Sequence, residues 1–125
     1  MIKYLTIFII LLSASAFGKT TGNELFYKCV KTETFMSQTE GIADTDIVSC
    51  LERVAGFKDA TLLAQAVYNP NRSIKEGICF PDGANTIQLV SVLVKYLKEN
   101  PSTRHQEAYI EMYSAFLSAY PCGYK

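Results

Sequence analysis

The chain has 125 residues, with 12 basic and 12 acidic side chains, one histidine and a formal charge of zero at pH 7. That balance excludes bulk electrostatic attraction to nucleic acid or to an anionic membrane, and the charges are scattered singly, with no block of either sign. The length suits one domain with a modest core, for which four cysteines are a generous supply.

The chain opens MIKYLTIFIILLSASA: one cation, Lys3, then an apolar run from Tyr4 to Leu12, then small residues. This is the pattern of a secretory signal peptide, and Ala14 and Ala16 stand at the spacing of a cleavage site. The expected division is a leader over 1–16 and a single domain over 17–125, with a formal charge of −1 once Lys3 has left. The apolar run is well short of the roughly 20 residues that span a bilayer. The expectation is therefore export with a cleaved leader and no membrane contact afterwards.

Behind the leader the signals are helical and strand signals are nearly absent. Asn23 can cap a first helix, about 24–32, whose apolar positions are Leu25, Phe26, Cys29 and Val30. Residues 33–45 have mixed polarity and read as a loop. A second run starts at Thr45 or Asp46 and carries Ile47, Val48, Leu51, Val54, Ala55, Leu62, Leu63, Ala66 and Val67. Gly56 inside it costs about 1 kcal/mol against Ala and suggests a bend or a close helix contact. The run ends at YNPN, because the residue before a proline is driven out of the helical region, and 70–83 is loop.

The third helix begins near Asn85, with Leu89, Leu93 and Leu97 on one face. ENPST then breaks the chain; Asn100 can cap a fourth helix, about 101–120, with Pro101 in its first turn. The short corner makes the last two helices antiparallel neighbours. The fourth helix carries a stripe of Ala108, Met112, Ala115 and Ala119 beside one of Tyr109, Tyr113, Phe116 and Tyr120, too wide an apolar arc for an exposed surface helix. The expected fold is all-α, a small bundle of four or more helices with two disulfides.

Chemistry is harder to find. A cysteine nucleophile needs a base, and the single His105 lies in STRHQEA among polar neighbours. Structural zinc sites bring ligands in close pairs, and no two cysteines are local. Glu107 and Glu111 read as an exposed i, i+4 pair, and no phosphate loop or nucleophile elbow is present. The expectation is no catalytic residue, no metal and no cofactor.

All four cysteines follow the leader, so in an oxidising compartment they read as a disulfide framework with three pairings open. The helical hairpin discriminates among them: Cys79 and Cys122 lie equally far from its corner and arrive together at its open end, leaving Cys29 with Cys50 to tie the first helix to the second. Each bridge contributes about 2–4 kcal/mol.

An ordered set of features, GN at Gly22 and Asn23, Leu25 with Cys29, Cys50 with Gly56 behind it, CFP at Cys79 to Pro81, QLV at Gln88 to Val90, YL at Tyr96 and Leu97, NP at Asn100 and Pro101, and YPC at the end, resembles the Rap/Tai immunity proteins. The resemblance spans the exported chain. It implies a helical, disulfide-bonded periplasmic protein, often a homodimer, that occludes the active-site cleft of a peptidoglycan amidase delivered by type VI secretion and so protects sister cells. The sequence departs from the family pattern in carrying Phe80 and Phe116 where aliphatic residues are expected.

The expected contacts lie on the loops 33–45 and 70–84, with Phe35, Met36, Arg72, Lys75, Glu76, Phe80 and Asp82 as partner-binding residues. Two rivals belong to other classes: a periplasmic chaperone holding unfolded clients on an apolar surface, and a hydrolase, for which no base is visible.

Overall fold

The computed structural model describes residues 19–38, 41–68 and 77–123. The expected leader, and with it Arg72, Lys75 and Glu76, lies outside them. Four helices make up the described part: α1 Gly22–Met36, α2 Thr45–Tyr68, α3 Thr86–Glu99 and α4 Ala108–Ala119. Among the described residues no helix is long and apolar enough to cross a membrane.

Helix α1 outruns its expected range at both ends. Thr21, not Asn23, is the cap, its Oγ1 accepting from the Glu24 amide at 3.3 Å. The helix continues to Met36, and within it Thr32 and Thr34 turn their hydroxyls back onto the carbonyls of Lys28 and Val30, so that neither side chain is left to cap a turn. Four residues of the expected loop are therefore helical, and Phe35 closes over Gly41, where a β-carbon would stand 2.9 Å from the ring. Helix α2 runs through Gly56 unbroken, and nothing lies within 4 Å of the side-chain direction there, so the expected close contact is absent. Helix α3 matches expectation: Asn85 and Gln88 form a reciprocal capping box, with bonds of 2.9 and 3.1 Å.

The fourth helix starts seven residues later than the sequence suggests. Asn100 ends α3, its backbone and side-chain amides both donating to the Tyr96 carbonyl, and 101–106 are turns. The reason is tertiary. The segment entering α1 pairs with this connection: Gly22 donates to the Gln106 carbonyl at 2.9 Å, Asn23 to that of Arg104 at 2.7 Å, and Ala108 to that of Thr20 at 2.8 Å. Backbone groups that would have closed the first turns of a helix from Pro101 are thus already committed. Gly22 is required by the closeness of this joint, since a β-carbon would sit 2.8 Å from both the Arg104 carbonyl and Glu111 Cγ. The Arg104 guanidinium lies over the Phe26 ring, 4.3 Å from its centre.

The acidic pair expected on one exposed face is split. Glu111 is buried at 1% exposure and accepts a 3.2 Å bond from the Thr103 hydroxyl. Glu107 stays at the surface, where Lys19 reaches it at 2.6 Å and holds its carboxyl below the usual carboxylate range.

The core gathers Leu25 and Cys29 of α1, Cys50 and Val54 of α2, Leu89, Val90, Leu93, Val94 and Leu97 of α3, and Ala108, Met112, Ala115 and Phe116 of α4. The two stripes of α4 therefore divide between core and solvent: Phe116 is fully buried, while Tyr109 and Tyr113 face outward. Phe116 meets Phe57 at 5.7 Å and Phe80 at 5.4 Å between ring centres, so the two phenylalanines that depart from the expected aliphatic pattern pack against each other. Both disulfides pair as the hairpin geometry implies, Cys29 with Cys50 and Cys79 with Cys122.

Candidate partner-binding face

Helix lengths create the most unusual surface. At 24 residues α2 is about 36 Å long, whereas the 14 residues of α3 give about 21 Å. Its buried residues, Ile47, Cys50 and Val54, all lie in the first half. Beyond Phe57 the attachment to the body becomes polar: Lys58 Nζ donates to the Ala84 carbonyl at 2.6 Å, and Gln65 Nε2 to that of Ile78 at 2.5 Å.

The last two turns are inverted in polarity. Thr61 and Gln65, one turn apart on one face, are the half-buried residues, while Leu62, Leu63, Ala64, Ala66, Val67 and Tyr68 are exposed. At 100° per residue, the exposed apolar residues occupy about two thirds of the helix circumference. Leu63 and Val67 are 66% and 64% exposed, Tyr68 88%, and no charge follows Asp59 along the helix. An isolated exposed leucine is ordinary; a contiguous apolar surface wrapped round a helix end is a candidate docking surface.

Beneath this overhang runs 77–84. Ile78 is buried and pairs with Pro121 in an antiparallel bridge, Cys79 donates to the Tyr120 carbonyl at 2.8 Å and Cys122 to that of Gly77 at 2.9 Å. The chain then turns, Ala84 donating back to the Pro81 carbonyl at 3.1 Å, with Gly83 at φ 79°, a left-handed conformation that suits glycine. Pro81, Asp82 and Gly83 stand exposed at the tip.

Among the expected contact residues, Asp82 is thus presented outward. Phe80 points the other way: it is half-buried, edge-on to Phe116 and 5.9 Å from the Tyr120 ring, so its ring anchors the segment. Phe35 is likewise half-buried over Gly41, whereas Met36 is exposed and lines a groove with Ile87, Val90 and Ser91. That groove and the Pro81–Ala84 turn both border the N-terminal end of α3. Leu62, Leu63 and Val67 belong to the apolar run expected for this helix, and none of them is among the expected contacts; the available signal is the i, i+4 pair of Thr61 and Gln65 inside an uncharged stretch.

Around the α1–α2 connection, Lys31 contacts Asp44 and bonds Asp46 at 3.2 Å. Hydrogen bonding from Lys31, then from the Ile47 amide, holds the Asp44 carboxyl below its ordinary value, and the same acidic pair raises Lys31. These groups fasten a loop and do not converge on a cleft. No cluster of three or more histidine, cysteine, aspartate or glutamate side chains that could hold a metal occurs among the described residues. His105 sits exposed in the turn before α4, its Nδ1 3.0 Å from the Ser102 carbonyl, rather than in a helix.

A family model for Rap1a immunity proteins matches residues 21–122. The chain belongs to the Rap1a immunity protein family. The match runs from the Thr21 cap to Cys122, so both disulfides and the whole overhanging face lie inside the Rap1a region. Comparison with curated protein sequences and with solved structures returned no match. Membership of the Rap1a family implies binding of a toxic effector and is consistent with a protein that performs no catalysis.

Proposed function

We propose that the protein protects the periplasm by binding a type VI secreted peptidoglycan amidase and occluding its active-site cleft. The observation that carries this reading is the inverted end of α2. A helix apolar on most of its circumference is stable in water only when surrounded, and a projecting rod fits a concave site better than a flat one. Leu63, Val67 and Tyr68 supply the apolar anchor, and Asp82 with the turn around it supplies the polar rim. Arg72, Lys75 and Glu76 fall in the stretch between these elements and complete the proposed contact surface, with Met36 at its border. Export of the chain follows from its leader pattern, and two disulfides suit an oxidising compartment.

The test is a titration of the oxidised mature protein against peptidoglycan amidases secreted by the same bacterium, following cleavage of the peptide stem. Stoichiometric inhibition of one enzyme supports the reading. Inhibition of none, with suppression of aggregation of many denatured proteins, assigns the same apolar surface to a chaperone. Homodimer formation belongs to the proposal as well. The outward Tyr109, Ile110 and Tyr113 of α4 give an uncharged strip that a two-fold axis tolerates, and sedimentation of Tyr113→Glu as a monomer beside a dimeric parent would locate the contact there.

A further inference from the structure

The two disulfides differ in what they hold and in how a reductant reaches them. Cys29 and Cys50 are 0% and 1% exposed, in the core between α1 and α2. In the second bridge Cys122 is 5% exposed but Cys79 is an exposed residue. Thiol–disulfide exchange needs a thiolate to approach one sulfur in line with the bond, so access decides which bridge reacts.

We infer that the Cys79–Cys122 disulfide is a selectively reducible latch on the partner-binding face, opened by a dithiol reductant while the bundle stays folded. The inference rests on the placement of that face at the end of α2 and the 77–84 segment. Attack by a reductant thiolate on Cys79 breaks the bond to Cys122, whose sulfur leaves with the electron pair and takes up a proton. The second thiol of the reductant then attacks the mixed disulfide, releasing Cys79 as a thiolate that is protonated in turn. Two electrons and two protons pass to the cysteine pair, and the reductant becomes a disulfide.

Opening the latch has a local consequence. Without it, the segment 77–84 and the C-terminal turn are joined to each other by two backbone hydrogen bonds, from Cys79 and from Cys122, and by the Phe80–Tyr120 contact. Gln65 and Lys58 take their acceptors, the carbonyls of Ile78 and Ala84, from this same segment, so its loosening also frees the overhang of α2. Ile78 and Ala84 stay buried in the core and Phe80 stays against Phe116, so the loosening is confined to the outer bonds of the segment, while Cys29–Cys50 and the α1 joint to Arg104 and Gln106 keep the core helices together. A fold with only the buried bridge would lack this division between a permanent staple and a removable one.

The experiment treats the oxidised mature protein with graded dithiothreitol, quenches with an alkylating reagent and maps the labelled cysteines by mass spectrometry. Cys79 and Cys122 are expected to label at least about tenfold faster than Cys29 and Cys50. Equal rates, or earlier labelling of Cys29 and Cys50, overturn the latch. A Cys79→Ser/Cys122→Ser variant then isolates the effect. Amide exchange over 77–83 and 120–123 is expected to rise at least about tenfold, while the core of α1 and α3 keeps its protection. Unchanged exchange in that segment, or lost protection throughout the bundle, also overturns it. Where the parent inhibits an amidase, the variant is expected to do so at least about tenfold more weakly, and undiminished inhibition overturns the gating role. A parent that inhibits none instead overturns the proposed function, and the labelling and exchange results still decide the latch.

Discussion

The two halves of α2 follow opposite rules. From Ile47 to Val54 the helix turns apolar side chains inward against α1 and α3, and a disulfide at Cys50 fixes it there. From Thr61 to Tyr68 the polar residues face the body and the apolar ones face out. Both halves are helical and both are rich in apolar residues, so composition does not separate them. What differs is whether a neighbouring helix is long enough to cover them. Burial stabilises the first half; the second is held in place by two polar bonds, with its apolar residues exposed.

Substitutions can break this contrast, and the largest effect belongs at the buried end. Phe116→Ala removes the ring that joins α4 to Phe57 and Phe80, and urea unfolding is expected to show a loss of about 3–5 kcal/mol. A loss below about 1 kcal/mol would mean that the core is organised around other residues. Next comes the Cys29→Ser/Cys50→Ser variant, whose expected loss is about 2–4 kcal/mol by the same measurement. Gly22→Ala presses a methyl group onto the Arg104 carbonyl and Glu111, with an expected cost of about 1–3 kcal/mol. Wild-type stability in that variant would show that the joint between α1 and α4 is looser than described.

At the free end the expectation reverses. Val67→Asp and Leu63→Asp are each expected to change stability by no more than about 0.5 kcal/mol. Affinity for the inhibited amidase, read by titration calorimetry, should nevertheless fall at least about thirtyfold. Comparable losses of stability at Val67 and Val54 would erase the distinction between the halves.

The smallest effect is electrostatic. Asp44 and Glu107 have folded-state pKa values lowered by Lys31 and Lys19, so their contribution is fully present above the ordinary carboxylate pKa and is lost as pH falls through the lowered values. Asp44 is exposed, so the thermal midpoint of Asp44→Asn at neutral pH should sit only slightly below that of the parent, and the difference should vanish in acid. A difference that persists in acid would mean that Asp44 acts through its loop hydrogen bonds to the Asp46 and Ile47 amides and not through its charge.

Legibility followed the range of the interactions involved. The Asn85–Gln88 box and the Leu89–Leu93–Leu97 face are local devices, and α3 was readable almost to the residue. The disulfide pairing was readable because α3 and α4 run back along each other even with 100–107 as a longer connection than expected, so Cys79 and Cys122 still meet at the open end. The start of α4 was not readable, since Pro101 and Asn100 give a sound local helix signal that loses to a pairing with Gly22 and Asn23, far away in sequence. Glu111, expected at the surface, is buried. The candidate face was half legible: Asp82 and its turn were expected outside, whereas Phe80 was drawn in by Phe116, and the apolar end of α2 was not among the expected contacts.

The sequence by itself determined the helical class and carries the export pattern, because helical periodicity, caps and an apolar leader act within a few residues of themselves. Tertiary structure alone decided which apolar residues are core and which are surface. Periodicity records that Leu63 and Val67 share a face with one another, but only the length of α3 and the path of 77–84 determine that nothing in the described chain covers that face.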